Sequence, residues 1–340
     1  MKKIIKEVIQ WTSAIAVAVV VFNGLLFLYN KPTAFIDRTN SSTNTIHTPG
    51  NYILHGTEGW GLHPVDRNGY VNKDLPLQED YCVVVGASYT QGKEVKQGER
   101  FTDILNEKLA DSNDALAIYN CSQDGYYFPS LTKNFYAITQ EFSDAKAIVI
   151  EIGNTDFSTE QLIEGLEQRG FDEKQLGKNI YSSLSTKEKL SIKVKDFVPI
   201  YTIFKNQVKA FNKTDNADTV DNSKTDTTKQ EKALGDLLAK IRGQWDKELI
   251  IMYHPAVEIN NDGTMSTKKL TMVETFDKLC KENDITFVNV AEAFENQYNK
   301  DYSVPYGFSN TSMGSGHLNS VGHRIIADEL YDILKGILKR

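Results

Sequence analysis

The sequence predicts an α/β fold in which a five-stranded parallel sheet lies between two layers of helices. Five short apolar runs, rich in β-branched residues and bounded by polar ones, are typical of buried parallel strands. These runs are residues 82–86, 116–119, 147–151, 249–253 and 285–289. Helical spacing of apolar residues lies between and after them, as in 101–109, 234–241 and 325–337. This alternation favours right-handed crossovers with helices on both faces.

Composition indicates an ordinary globular protein. The 340 residues suffice for one large α/β domain with additional segments, and 40% of them are hydrophobic. The formal net charge is −7, and there is no basic stripe with interleaved aromatic residues, so we expect no nucleic-acid binding. The three cysteines, Cys82, Cys121 and Cys280, have no metal-site spacing and cannot all pair. We expect small buried side chains rather than a disulfide framework.

The N-terminus predicts a membrane anchor. Residues 11–30 contain no charged side chain, and twenty helical residues span about 30 Å, the thickness of a bilayer's hydrocarbon core. Lys2, Lys3 and Lys6 precede this run, which places the N-terminus in the cytoplasm and the remaining chain outside. A cleaved signal peptide is the alternative. The sequence at 29–32 lacks a small-x-small cleavage site, which favours an uncleaved anchor.

We predict three segments in the chain. Residues 1–30 form a cytoplasmic stub and transmembrane anchor. Residues 31–80 form a loop-rich connector outside the cytoplasm, with short strands near 52–54 and 69–71. Residues 81–340 form the main domain. Within it, residues 213–232 have almost no apolar side chains, which predicts a disordered insertion.

A candidate nucleophile follows the first predicted strand. Ser88 stands in the sequence Gly-Ala-Ser-Tyr-Thr of residues 86–90. A serine at the carboxyl end of a parallel strand, beside a glycine that permits a tight turn, presents its hydroxyl where such sheets bind ligands. Nearby backbone N–H groups can face a developing oxyanion. The Gly-x-Ser pattern alone also fits a plain strand-to-helix turn.

A candidate base precedes the last predicted helix. A serine nucleophile needs a base, and the imidazole of His317 is suitable because histidine titrates near neutral pH. A lone histidine here is also typical of a helix cap or a loop. Its position between the fifth predicted strand and the last helix favours a role at the same sheet edge as Ser88.

Four blocks of residues 81–340 resemble the SGNH/GDSL hydrolase family. The first is residues 86–90, with Ala87 where aspartate is usual, and the second supplies Gly125. The third, Gly-x-Asn-Asp, resembles residues 153–156, and the last, Asp-x-x-His, resembles 314–317. Each block comes after the expected strand and in the expected order. The resemblance implies a three-layer, flavodoxin-like SGNH hydrolase fold.

The resemblance also implies a serine esterase mechanism. Ser88 would attack an ester carbonyl, and His317 would take its proton and return it to the leaving alkoxide. The backbone N–H groups of Ser88 and Gly125 and the side-chain amide of Asn154 would bind the oxyanion. One such donor is typically worth about 3 kcal/mol of the barrier. Water or a sugar hydroxyl would then take the acyl group.

Two positions depart from the family pattern. Thr155 stands where asparagine is usual and Asn154 precedes it, so we expect Asn154 to be the oxyanion donor, with Thr155 as the alternative. Gly314 replaces the aspartate that orients the histidine. Either Ser88 and His317 then work as a dyad, or a distant acid such as Asp156 orients the imidazole.

Two other histidines lie near the predicted site elements. His254 follows the fourth predicted strand, where it is either a substrate contact or a turn residue. His323 is expected to be exposed in the first turn of the last helix. The spacing of His317 and His323 does not match a metal site, and we expect neither a metal nor another cofactor.

Three functions are consistent with these features. The first is a membrane-anchored extracytoplasmic esterase that removes acyl groups from envelope glycans or other acylated molecules. The second is an O-acyltransferase that uses the same nucleophile on a surface polysaccharide. The third is a non-catalytic carbohydrate-binding module that retains the fold. The missing aspartate and the shifted asparagine are consistent with this third, non-catalytic function.

Overall fold

A computed structural model of the chain describes residues 2–29, 35–37, 45–47, 50–55, 58–73, 80–110, 116–123, 125–168, 185–188, 190 and 227–337. The strands are β1 (Phe35–Asp37), β2 (Thr45–His47), β3 (Gly50–His55), β4 (Trp60–Val65), β5 (Asp80–Val85), β6 (Leu116–Asn120), β7 (Ala147–Ile152), β8 (Glu248–Tyr253), β9 (Val257–Ile259), β10 (Met265–Thr267) and β11 (Thr286–Asn289). The helices are α1 (Lys2–Tyr29), α2 (Ser88–Gln91), α3 (Phe101–Ala110), α4 (Phe128–Glu141), α5 (Thr159–Leu166), α6 (Thr227–Gly243), α7 (Val273–Glu282), α8 (Ala291–Asp301) and α9 (Ser320–Ile337).

The five predicted parallel strands are confirmed. They form one sheet in the order β11-β8-β7-β5-β6, and each neighbouring pair is parallel. Numbered along the chain, this is the doubly wound order 2-1-3-4-5 of flavodoxin-like folds. In this order the direction in which successive strands are added to the sheet reverses at β5. The carboxyl ends of β5 and β7 therefore border the crevice where such folds bind ligands.

Alternate side chains of the sheet supply two separate cores. Val83, Val85 and Ile150 point to the core that contains α4, α6 and α7. Cys82 and Val84 point to the opposite core, which α3, α8 and α9 cover. Burial on both faces explains the continuous apolar runs in the sequence. All three cysteines are buried and free.

The N-terminal helix is long enough to cross a membrane. Residues Lys3–Leu25 form an apolar span, and none of its hydrophobic window is buried within the protein. A helix of this length and position is typical of both a membrane anchor and a signal sequence.

Two predictions within the connector and the insertion are wrong. Residues 69–71 are not a strand, because Asp66 accepts the backbone N–H groups of Asn68 and Tyr70 and closes a turn there. The partner of β3 is instead β4, which pairs with it antiparallel. The helix α6 begins at Thr227, inside the predicted insertion, because its later turns bury Leu234 and Leu237. Residues 213–226 of that insertion lie outside the described residues.

A buried polar cluster joins the hairpin of β3 and β4 to the domain. Arg100 is 1% exposed, donates to the carbonyl of Val71 at 2.7 Å and pairs with Asp103 at 2.8 Å. His63, on β4, donates to the carbonyl of Val95 at 2.9 Å. His323 is also buried rather than exposed as predicted, since its ring stacks on Phe101.

The two histidines of this cluster should make the fold sensitive to acid. Burial, with a contribution from the Arg100 charge, lowers the pKa of His63 to about 4 and that of His323 to about 3. The unfolded chain therefore binds more protons than the folded one below pH 6.5. Stability should fall as the pH drops from 6.5 towards 4, on the order of 3 kcal/mol for His63 alone.

Urea unfolding over this pH range tests the expectation. The His323→Phe variant, which cannot titrate at that position, should show a shallower loss of unfolding free energy than the wild type. Equal slopes in the two proteins would show that His323 does not stay neutral in the folded state.

Candidate active site

Ser88 occupies a tight turn at the end of β5. Ala87 has an extended backbone, and Ser88 begins the one-turn helix α2. Gly86 leaves no room for a side chain, because a Cβ there would lie 2.4 Å from a carboxylate oxygen of Glu151. The glycine therefore allows the turn to pass directly over the end of β7. Ser88 itself is half-buried.

The structure brings Ser88 and His317 together. The hydroxyl oxygen of Ser88 lies 2.9 Å from Nε2 of His317, although the residues are 229 positions apart. The imidazole is partly exposed, with 26% of its side chain accessible. A serine hydroxyl that donates to a histidine nitrogen at this distance has the geometry of an activated nucleophile.

The carboxylate beside His317 is Glu58, which sequence reasoning missed. Its Oε1 lies 3.1 Å from Nδ1 of His317, and its Oε2 accepts the backbone N–H of His317 at 2.6 Å. The 3.1 Å contact lacks the alignment of a hydrogen bond, and Nδ1 has no other partner among the described residues. The pairing is thus mainly electrostatic.

The carboxylate of Glu58 packs against Gly316, which belongs to the block at residues 314–317. Gly316 has φ +92°, and a Cβ there would lie 2.4 Å from Oε2 of Glu58. Glycine at 316 therefore both permits the backbone conformation and makes space for the carboxylate. The absence of aspartate at 314 left open whether another acid orients His317, and the connector offers several acids without fixed spacing.

Asp156 does not orient His317, contrary to one of the two alternatives. Its two carboxylate oxygens accept the backbone N–H groups of Thr271 and Met272, at 3.0 and 2.8 Å. These amides precede the first turn of α7, where a carboxylate is favourable because the N–H groups lack helical partners. The carboxylate of Asp156 is occupied there, and Glu58 takes the place beside the imidazole.

The predicted oxyanion donors differ in accessibility. Gly125 has φ +81°, and nothing lies within 4 Å of where its Cβ would be, so its backbone borders open space. Asn154 is exposed. Its amide nitrogen donates to the carbonyl of Asp156 at 3.2 Å, and its amide oxygen accepts the backbone N–H of Asp156 at 3.1 Å. Thr155 is 1% exposed, and its hydroxyl has no partner among the described residues. Of the two side chains, only that of Asn154 is open to a substrate.

His254 is buried rather than exposed in a surface turn, and its ring lines the cavity described below. Its side chain is 1% exposed, and Nε2 lies 2.7 Å from Oε1 of Glu151. Burial raises the pKa of the Glu151 carboxyl, but hydrogen bonds from His254, Ala87 and Thr90 outweigh it and lower that pKa. Glu151 is therefore a second buried carboxylate beneath the site.

Tyr89 separates the two histidines. Its ring centroid lies 4.7 Å from that of His254 and 5.1 Å from that of His317. Burial raises the pKa of Tyr89, and the nearby charges of Glu151 and Glu58 add to the effect. The phenol stays neutral at physiological pH and forms a wall between the two histidine–carboxylate pairs.

A cavity of about 340 Å³ opens beside this wall. It is lined by Tyr89, Gly153, His254, Ala256, Val257, Glu258, Lys268, Tyr306, Gly314, Ser315 and Gly316. The volume is at the lower end of small-molecule sites in proteins. Among the described residues, no group of three or more histidine, cysteine, aspartate or glutamate side chains could hold a metal ion.

Comparisons with known proteins find similarity in solved structures only. No family model and no curated protein matches the chain. TesA is 12% identical, with 76% of this chain and 99% of TesA covered and a TM-score of 0.38. The psychrotrophic esterase EstA from Pseudoalteromonas sp. is 14% identical, with 77% and 100% covered and a TM-score of 0.38.

A lipolytic G-D-S-L family protein from Veillonella parvula is 12% identical, with 75% of this chain and 98% of that protein covered and a TM-score of 0.37. The similarity is thus distant in both sequence and structure. The fold is established by the order and direction of the five strands rather than by these matches.

The position of Glu58 predicts a large effect of a neutral replacement. In Glu58→Gln the amide keeps the shape of the side chain but removes the negative charge beside Nδ1 of His317. Loss of the orienting carboxylate costs about 10⁴-fold in kcat in a well-studied serine protease. We expect the rate at which a fluorophosphonate labels Ser88 to fall by about 10²- to 10⁴-fold.

The competing acid provides the comparison. Asp156→Asn removes a carboxylate of similar chemistry that holds α7 rather than His317. A greater loss of labelling in Asp156→Asn than in Glu58→Gln would refute the assignment of Glu58.

Proposed function

We propose that this protein is a membrane-anchored serine esterase of the SGNH/GDSL type, with its domain outside the cytoplasm. The observation that carries the proposal is the chain of contacts from Ser88 through His317 to Glu58, with heavy-atom distances of 2.9 and 3.1 Å. A nucleophile, a base and a carboxylate that orients the base are the three parts of acyl-transfer sites.

The reaction begins with proton transfer from Ser88 to Nε2 of His317 as the hydroxyl oxygen attacks the ester carbonyl. Nδ1 of the resulting imidazolium lies 3.1 Å from Glu58, whose negative charge stabilises it. His317 then gives the proton to the leaving alkoxide, which leaves an acyl group on Ser88. Water, activated by the same histidine, hydrolyses this intermediate and restores the serine.

The oxyanion of the tetrahedral intermediate needs preorganised donors. The N–H of Ser88 belongs to the first turn of α2, where backbone donors have no helical acceptor. Gly125 supplies a second N–H from the loop after β6, and the exposed amide of Asn154 supplies a third from the loop after β7. All three follow carboxyl ends of parallel strands, and that is where this type of sheet binds ligands.

The proposed substrates are acyl esters of envelope glycans. Residues 1–30 would anchor the chain, residues 31–80 would connect the anchor to the domain, and the lysines before the apolar helix favour a cytoplasmic N-terminus. The site would then face extracytoplasmic polymers. The cavity of about 340 Å³ suits one sugar unit or a short acyl chain. If a glycan hydroxyl replaces water as acceptor, the same intermediate gives an O-acyltransferase.

A fluorophosphonate probe and a short-chain p-nitrophenyl ester test the proposal on the full-length protein. The wild type should be labelled and release p-nitrophenol, whereas Ser88→Ala should not be labelled. His317→Gln should lower the labelling rate by at least about 10³-fold, because the serine loses its base.

The matched control is Ser315→Ala, which alters a serine on the cavity rim whose hydroxyl donates to the carbonyl of Ser312 at 2.7 Å. It should label like the wild type. A folded wild type that resists labelling, or equal labelling of Ser88→Ala, would contradict the proposed function.

A further inference from the structure

A second histidine–carboxylate pair lies directly below the nucleophile turn. Glu151 is at the end of β7 and His254 follows β8, and their side chains are each 1% exposed. Within the part of the chain that the structure describes, no hydrogen bond joins either residue to Ser88, His317 or Glu58, and the proposed reaction uses neither. A buried carboxylate and a buried imidazole are costly to keep in a protein interior unless each is fully hydrogen-bonded.

Glu151 accepts hydrogen bonds from the nucleophile turn on both sides of Ser88. Its Oε2 accepts the backbone N–H of Ala87 at 2.9 Å and the hydroxyl of Thr90, also at 2.9 Å. These donors belong to the residue before the serine and the residue two positions after it. One carboxylate oxygen thus fixes the start and the middle of the segment that carries the nucleophile.

His254 in turn fixes Glu151. A carboxylate can only accept hydrogen bonds, so the 2.7 Å contact to Oε1 requires the proton on Nε2 of His254. The other edge of the ring is also held, because Nδ1 lies 2.8 Å from the hydroxyl of Tyr306. That hydroxyl lies 2.8 Å from the carbonyl of Pro255 as well. The imidazole therefore has little freedom to rotate or to release Glu151.

Close packing restricts the movement of the Glu151 and His254 side chains. A Cβ on Gly153 would lie 3.1 Å from Cε1 of His254, and one on Gly86 would lie 2.4 Å from Oε2 of Glu151. Both glycines therefore allow close approach of the backbone to the pair. Loss of the imidazole would leave Oε1 buried without a donor, and the carboxylate would have to move or take up a proton. Either response weakens its hold on Ala87 and Thr90.

We propose that His254 and Glu151 are positioning residues that hold Ser88 in register with His317. The inference rests on the proposed function for its catalytic consequence. The link from His254 through Glu151 to the amide of Ala87 is independent of any substrate. His254 acts through Glu151 and does not itself touch the reacting atoms.

Three variants of the full-length protein test the proposal. His254→Phe keeps a ring but removes the donor to Glu151. In His254→Gln, the side-chain amide nitrogen takes the place of Nε2 and keeps that donor. The matched control is Asn106→Ala, which removes two hydrogen bonds between α3 and Ile118 of β6, far from the nucleophile turn.

We expect His254→Phe to lower kcat for a p-nitrophenyl ester and the fluorophosphonate labelling rate by about 10²-fold, because a small misplacement of a reacting group has effects of this size. The fall in kcat should exceed any change in KM, because His254 acts on Ser88 through Glu151, although its ring also lines the cavity. His254→Gln should recover most of the rate. Asn106→Ala should lower the melting temperature without lowering the labelling rate.

Hydrogen exchange at the Ala87 amide provides a readout that needs no activity. Protection should be lost in His254→Phe and kept in His254→Gln and Asn106→Ala. If His254→Phe keeps both the protection and the rate, or if Asn106→Ala loses as much rate as His254→Phe for the same loss of melting temperature, the positioning role is overturned. An unlabelled wild type whose Ala87 protection depends on His254 would instead reject the proposed function and leave the positioning link intact.

Discussion

The contact between the Ser88 hydroxyl and the His317 imidazole is the constraint on which the site depends. The two residues are 229 positions apart in the sequence, and their atoms meet at 2.9 Å only because the chain folds into a doubly wound sheet. The order of the strands places β5 next to the crevice, and α9 packs against α3 on one face of the sheet. The packing of the whole domain therefore sets one interatomic distance.

Two carboxylates support this contact from different directions. Glu58 approaches the imidazole from the connector, while Glu151 holds the nucleophile turn from the end of β7. Tyr89 lies between the histidines of the two pairs and stays neutral because burial and both carboxylates raise its pKa. Under the proposed function, the His317–Glu58 pair serves proton transfer and the His254–Glu151 pair serves the geometry of the nucleophile turn. The buried cluster around Arg100 also supports the position of Glu58, which lies between β3 and β4. Its hydrogen bonds connect β4 and the segment after it to the rest of the domain.

Periodicity and motif position predicted much of this arrangement. The five strands were predictable because burial on both faces gives continuous apolar runs, and Ser88 and His317 were found because they stand beside such elements. Glu58 was not predictable, because it lies 259 positions from His317 and its pairing depends on how the connector docks. Glu151 stood at the end of a predicted strand, and nothing in the sequence indicated that His254 pairs with it. The start of α6 was missed since its first residues are polar and only the later turns are buried.

A crystal structure of the protein after reaction with a fluorophosphonate would test the central claim most directly. The account predicts a phosphonyl group on the Ser88 oxygen, one phosphonyl oxygen facing the N–H groups of Ser88 and Gly125, and an aligned hydrogen bond from Nδ1 of His317 to Glu58. An adduct on another residue, or a Glu58 carboxylate turned away from the imidazole, would contradict it.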